Sequence, residues 1–213
     1  EKTVITNEGE YLAKSVVIST GANPRPLGVA REHEMIGRGV GYCAHCDGGF
    51  YRGKTVAVVG GGNSAAAEAL YLSRIAKEVI LIHRRDSLRA TQIYHKPLME
   101  TPNIRFAWNS EVAELLGEDL LEGVKLRNLE NGGEEVLEVQ GLFVSIGRKP
   151  ATDLVKDQLT LDDAGYIMAG ENTKTNLPGV YAVGDVRTKE LRQIVTAVAD
   201  GAMAAHMAEQ YLA

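Results

Sequence analysis

The apolar residues of this chain come mostly in short runs that end in glycine. Val16–Thr20 runs into Gly21, Thr55–Val59 into Gly60, Leu142–Ile146 into Gly147, and Gly179–Val183 into Gly184. Unbroken apolar runs of this length predict buried strands. After Gly60, the residues Ala65, Ala69, Leu72 and Ala76 recur at i, i+4, i+7 and i+11, which predicts a helix, and Val79–Ile82 is the next strand. Strand, glycine turn, helix, strand is a βαβ unit feeding a parallel sheet. The expected class is therefore α/β with a Rossmann-like nucleotide-binding fold. Lys2–Thr6, the turn Asn7-Glu8-Gly9-Glu10 and a second strand over Tyr11–Thr20 predict an opening hairpin. Gly123–Leu129 and Glu134–Val139 flank Asn131-Gly132-Gly133, a second hairpin. An alanine-rich helix is predicted from about Arg192 to Leu212, with Gly201 allowing a neighbour to approach.

Two of the strand ends echo one another. "VVISTGANPRP" and "LFVSIGRKPAT" each close a strand in glycine and leave through a proline-bearing connection, as two linkers between the same two domains would. The expected organisation is one domain inserted in another. Residues 1–23 and 152–213 form the outer domain, and 24–151 form the insert.

Composition narrows the partners. A net charge of −5 argues against a nucleic-acid groove or an anionic membrane surface. No apolar stretch reaches the roughly 18–20 residues that span a bilayer, and no signal peptide opens the chain. The chain opens inside a hairpin, which reads as a fragment of something longer. Its only two cysteines, Cys43 and Cys46, cannot staple a domain of this size, so a reducing cytoplasm is the expected setting.

Those two cysteines carry the chemistry. Cys43-Ala44-His45-Cys46 is followed at once by Asp47-Gly48-Gly49, and Gly60 comes fourteen residues after Cys46. A structural zinc site lacks a second ligand pair, so no metal is expected. Inert thiols and a permanent disulfide fit less well than a dithiol that cycles. His45 is placed to stabilise a thiolate when protonated, and Asp47 to give or take a proton. In the glycine turn, Gly60 and Gly62, with Asn63 and Ser64 opening the helix, let a pyrophosphate approach backbone N–H groups. About 20 residues on, the second strand ends in His83-Arg84-Arg85, with Arg89 one turn later. Cations there suit a 2′-phosphate and favour NADPH over NADH; a solvated basic strand end, or Asp86 acting as the ribose acid, stay open. NADPH delivers hydride and does not reduce a disulfide without an intermediary, so a flavin is expected.

The segments "CAHCDG", "GGGNSA", "HRRDSLRA", "GVYAVGD" and "RQI", in this order, resemble the low-molecular-weight, bacterial-type thioredoxin reductases over the whole chain. That resemblance implies an FAD domain interrupted by an NADPH domain that carries the CxxC. It implies that Cys46 lies nearer the flavin, that Cys43 exchanges with the protein substrate and that Asp47 is the acid. Gly184 and Asp185 are implied as FAD contacts, and Arg192, Gln193 and Ile194 as the segment that meets the isoalloxazine. The strand ends Thr20, Gly21 and Gly147 join them as candidate cofactor contacts. A thioredoxin-like partner and a homodimer are implied as well.

Two features depart from the family. His45 stands where threonine is more common, and a CxHC is also familiar from the flavoprotein subunit of alkyl hydroperoxide reductase. That leaves another flavin-dependent dithiol enzyme (a peroxiredoxin-reducing subunit or a dithiol oxidase) as an alternative. The family's own FAD glycine fingerprint does not precede Glu1. Weak FAD retention, or a non-catalytic NADPH-binding module, is the corresponding expectation for a fragment. Rotation about the two linkers, or access to opposite flavin faces, would let nicotinamide and disulfide both reach one flavin.

Overall fold

The computed structural model describes residues Glu1–Ala213. Its backbone contacts divide the chain into two compact units, Glu1–Asn23 with Arg148–Ala213, and Pro24–Gly147. The insert ends at Gly147 rather than Ala151. Arg148–Pro150 is a strand paired with Ala22–Pro24, and the Ala151 N–H donates to the Gly21 carbonyl at 2.9 Å.

The outer unit opens with β1 (Lys2–Thr6), β2 (Gly9–Ala13), β3 (Val16–Ile18) and β4 (Ala22–Pro24). The single strand expected over Tyr11–Thr20 is two strands, broken at Lys14-Ser15. β2 pairs antiparallel with β1, whereas β3 pairs parallel with a strand near the carboxy terminus, so one straight strand cannot serve both. Only Ile18 of β3 is buried; Val17 is half exposed.

The inserted unit runs β5 (Val40–Gly41), α1 (Ala44–Asp47), β6 (Thr55–Val59), α2 (Asn63–Leu72), β7 (Glu78–Ile82), α3 (Gln92–Glu100), β8 (Ile104–Ala107), β9 (Ser110–Leu116), β10 (Gly123–Asn128), β11 (Glu134–Glu138) and β12 (Gly141–Val144). Five strands form a parallel sheet in the order β5-β12-β6-β7-β8. Strand alternation then decides which face each residue serves. Val56 and Val58 pack with Ala65, Ala69 and Leu72 of α2, while Ala57 and Val59 pack with Val112, Val124 and Leu137 of the antiparallel sheet β11-β10-β9. Both faces are covered, which is why β6 and β7 read as unbroken apolar runs. α2 stops at Leu72, so Ala76 lies in the turn beyond it, though still buried. The pattern does not predict α3, β8 or β9. α3 buries only Leu98, leaves Ile93 and Met99 exposed, and holds Pro97 in its interior.

The outer unit resumes with β13 (Arg148–Pro150), β14 (Val180–Ala182) and α4 (Ile194–Leu212). β14 pairs in register with β3, Val180 opposite Val16. α4 lays Ala204 against Tyr181, whose hydroxyl donates to the Met207 carbonyl at 2.8 Å. Gly201 is exposed and a Cβ there would meet nothing within 4 Å, so the close approach expected at that glycine does not occur.

Asp200 on α4 is the polar centre of this unit. Its carboxylate accepts from Arg187 Nε (2.8 Å) and Nη2 (2.6 Å), from Lys189 Nζ (2.8 Å) and from the Gly184 N–H (2.8 Å). Burial pushes this carboxyl up, but the hydrogen bonds from Arg187, Lys189 and Gly184 outweigh it and hold the group down at about 2, against 3.8 when free. A depressed carboxyl contributes stability that is present above its unfolded value and lost as pH falls through its folded value. Stability on the order of 2 kcal/mol should therefore disappear between about pH 4 and pH 2, read as an acid-induced loss of near-ultraviolet dichroism. Asp200→Asn should cost roughly 3–5 kcal/mol because Arg187 is left buried and uncompensated; a urea midpoint unchanged from the wild type would refute the assignment.

Candidate active site

Both pieces of candidate chemistry sit on the inserted unit, at opposite ends of α2. Gly60 has φ +147°, a backbone favoured by glycine, and an added Cβ would lie 2.3 Å from the Ser145 carbonyl oxygen and 2.8 Å from Ala65 Cβ. Gly62 is the N-cap of α2; a Cβ there meets nothing within 4 Å, and no side chain caps the helix. The first N–H groups of α2 are thus open to a ligand, with the positive end of the helix dipole behind them. Ala65, the third position of the motif, is fully buried against the sheet. Of the two residues opening the helix, Ser64 is exposed, and Asn63 Oδ1 accepts from the Thr91 N–H at 2.8 Å. Asn63 therefore ties the Arg-bearing loop to the glycine turn. The Gly61 carbonyl does the same, accepting from the Arg89 (2.7 Å) and Ala90 (2.9 Å) N–H groups.

Around this turn lies a cleft of about 570 Å³, lined by Gly60, Gly61, His83, Arg84, Arg89 and Ser145 among others. Arg84 and Arg89 are exposed at its rim, and Arg85 is exposed but outside the lining. His83 differs from the arginines it precedes. It is 5% exposed, edge-on to Trp108, and its ring fills the space where a Cβ of Gly61 would stand, 2.2 Å away. Burial first, then Arg89, Arg85 and Arg84, lower its pKa, with a hydrogen bond to the Ser87 backbone opposing them. Its buried Nε2 has no partner within the protein. Ser145 Oγ donates to Glu68 Oε2 at 2.5 Å on the cleft's inner side. An uncapped helix start, two rim arginines and an orphaned buried ring nitrogen fit a phosphorylated dinucleotide.

At the other end, Cys43 and Cys46 form a disulfide, Cα–Cα 5.3 Å, across the first turn of α1. The Cys46 N–H donates to Cys43 Sγ at 3.2 Å. Cys46 is exposed and Cys43 half-buried. His45 does not face solvent alone: its ring stacks on Tyr71 of α2 at 4.4 Å. Gly48 makes the docking possible, since a Cβ there would come within 3.0 Å of Leu72 and Tyr71 side-chain atoms. Asp47 is half-buried beside Tyr51, whose hydroxyl is pushed up by burial and then by the Asp47 carboxylate. Phe50 stands out from this loop, 78% exposed.

The outer unit holds the remaining candidates. Gly184 has φ +71° and its N–H is fixed by Asp200; Asp185 beside it is half-buried. Gln193 caps α4 in a reciprocal box with Thr196, and Ile194 is 85% exposed at the helix start. Arg192 lies over the Tyr166 ring at 4.0 Å. Thr20 Oγ1 donates to the Ala151 carbonyl at 2.7 Å, and Gly21 has φ +72°. In the insert, Gly147 has φ +103° and accepts from the Arg25 N–H at 2.9 Å. A turn with a free half-buried carboxylate, next to an exposed helix start, fits a second dinucleotide cofactor. Sequence reasoning did not single out Gly61 or the Glu68–Ser145 pair. The third glycine of the run was the signal for Gly61; Glu68 offered none.

The family model described as pyridine nucleotide-disulphide oxidoreductase matches residues 1–201. The chain is 45% identical to a thioredoxin reductase of Peptoclostridium acidaminophilum, covering 99% of this chain and 69% of that protein. It is 48% identical to one of Streptomyces clavuligerus, covering 100% and 66%. The crystal structure of thioredoxin reductase from Streptococcus pyogenes superimposes with a TM-score of 0.92 at 43% identity, over 99% of this chain and 69% of that one. The chain thus spans about two thirds of the length of these relatives.

The fit of ring against turn is directly testable. Gly61→Ala should destabilise the inserted unit by about 1–3 kcal/mol through overpacking against His83. Combining it with His83→Ala should recover part of that loss. A double-mutant cycle in urea that shows simple additivity would mean the two residues do not touch.

Proposed function

We propose, for a chain that belongs to the pyridine nucleotide-disulphide oxidoreductase family and within it to the bacterial-type thioredoxin reductases, that it is an NADPH- and FAD-dependent thioredoxin-disulfide reductase. The observation that carries this reading is the Cys43–Cys46 disulfide packed on the same helix whose start opens a phosphate-fitting cleft. When bound, NADPH supplies a hydride equivalent and FAD passes the electron pair on. The α2 N-terminus with Gly60 and Gly62 would hold the pyrophosphate, and Arg84 and Arg89 the 2′-phosphate. Gly184, Asp185 and the start of α4 at Gln193 and Ile194 would hold the flavin cofactor.

The chain's own part is sulfur chemistry. The Cys43–Cys46 disulfide takes up two electrons and two protons and opens to a dithiol. Asp47 is the group that exchanges a proton with it. The Cys43 thiolate is stabilised by the Cys46 N–H and attacks the partner's disulfide, forming a mixed disulfide and releasing one partner thiolate. Cys46 then attacks Cys43 Sγ, reforming the internal disulfide and freeing the second partner thiol. Cys46 is the more exposed residue, so it is the hydrogen bond, not access, that supports Cys43 as the nucleophile in this reading. Exposed Phe50, four residues past Cys46, offers an apolar contact for a protein partner.

No helix is long and apolar enough to cross a membrane. A reducing cytoplasm and a homodimer complete the proposal, on the ground of the family likeness.

In the FAD-loaded enzyme, Cys43→Ser and Cys46→Ser should each abolish NADPH-dependent reduction of thioredoxin. Turnover that survives either substitution refutes the mechanism. Arg84→Ala with Arg89→Ala should raise KM for NADPH about 10- to 100-fold, the loss of one or two charge-assisted contacts. KM for NADH should barely move, and an equal rise for both nucleotides would argue against a 2′-phosphate site.

A further inference from the structure

Glu32 is a buried carboxylate that none of the steps above uses. It is 5% exposed, in the loop between Pro24 and β5. Its Oε1 accepts from the Leu27 N–H (2.9 Å) and from the Tyr42 hydroxyl (2.6 Å), and its Oε2 accepts from the Gly28 N–H (2.9 Å). Burying a carboxylate is costly unless its oxygens are hydrogen-bonded, and here three neutral donors do that work. Burial and then Glu32 push the Tyr42 hydroxyl up, so it stays protonated and keeps donating.

The placement of those donors gives the cluster its meaning. Tyr42 is bonded directly to Cys43. β5 is held to β12 only at Val40 and Gly41, so the Tyr42 hydroxyl is the next fixed point along the chain before the disulfide. Leu27 lines the nucleotide cleft. One carboxylate therefore clasps the cleft wall and the strand that delivers the redox pair. We infer that Glu32, through the Tyr42 hydroxyl, is a positioning residue that presets the Cys43–Cys46 loop for disulfide closure.

The physical argument is one of effective concentration. When the dithiol closes, one thiol must find the other, and a loop already held in place loses less conformational entropy in doing so. Releasing Tyr42 leaves the disulfide's own bond unchanged but raises the cost of closure. The equilibrium with glutathione reads this directly: the Cys43–Cys46 disulfide plus two glutathione thiols gives the dithiol plus one glutathione disulfide, with no other reactant. The inference rests on the reading that this pair cycles between dithiol and disulfide.

The 213-residue chain can be equilibrated in glutathione buffers, its thiols trapped by alkylation and the two forms counted by mass. Tyr42→Phe should lower the equilibrium constant for disulfide formation three- to tenfold; tenfold is a shift of about 30 mV toward easier reduction. NADP⁺ binding, followed by the fluorescence of Trp108, the sole tryptophan and a neighbour of His83 in the cleft, should stay within twofold, because the Leu27 and Gly28 bonds persist. Glu32→Gln turns one acceptor into a donor facing an N–H. It should lower the same constant at least as far and weaken NADP⁺ binding severalfold as well. A merely structural clasp would lower the thermal midpoint of both redox forms alike and leave the glutathione constant untouched, which overturns the inference. If Glu32→Gln does not fold, Tyr42→Phe decides alone. A wild-type pair that glutathione cannot open overturns the inference together with the reading beneath it; a wild-type pair that cycles, with an unchanged constant in Tyr42→Phe, overturns the inference only.

Discussion

The backbone of the glycine turn is confined on two sides. The Ser145 carbonyl closes on Gly60 and the His83 ring closes on Gly61, each nearer than any side chain would allow. That confinement fixes where α2 begins, leaves its first N–H groups uncapped, and brings the Arg89–Ala90 backbone onto the Gly61 carbonyl. The cleft around the turn is a by-product of this fit. A bulkier residue at either glycine would move the helix start, the arginine loop or the β12 end, and the cleft is made of all three.

The same helix serves the sulfur end. Tyr71, Leu72 and the turn beyond them receive His45 and Gly48, so the disulfide loop is seated on the carboxy-terminal half of an element whose amino-terminal end opens on the cleft. α2 is ten residues long, about 15 Å. His45 is used as a packing face, an arrangement open to any flat side chain but not to threonine. Glu32 adds a tie from the other side, through Leu27 and Tyr42.

The outer unit solves a similar problem electrostatically. Gly184 sits in a left-handed conformation at the end of β14, and its N–H is held by Asp200 from α4, sixteen residues later. Asp200 is in turn neutralised by Arg187 and Lys189. A buried cluster of one anion and two cations is an expensive way to fix a turn. What it secures is the register between that turn and the helix start that follows.

The apolar runs of β6 and β7, the glycine turn and the CxxC were legible from the chain because each is local: neighbouring residues set the run, the turn and the sulfur spacing. The αβ class followed from the runs and the glycine turn; the expectation of an inserted domain came from the two proline-bearing strand ends that echo one another. Other features were decided only across the fold. β2 and β3 separate because their pairing partners lie on different strands, one of them more than 160 residues away. His83 is a buried wedge in the cleft wall, unlike the exposed arginines after it, because Gly61, twenty-two positions earlier, leaves it room. Gly201 promised a contact that no neighbour makes, and Glu32 showed no pattern at all. Sequence determines what a residue can do within its own turn of chain; which distant atoms it must satisfy is settled only when burial removes water as the alternative partner.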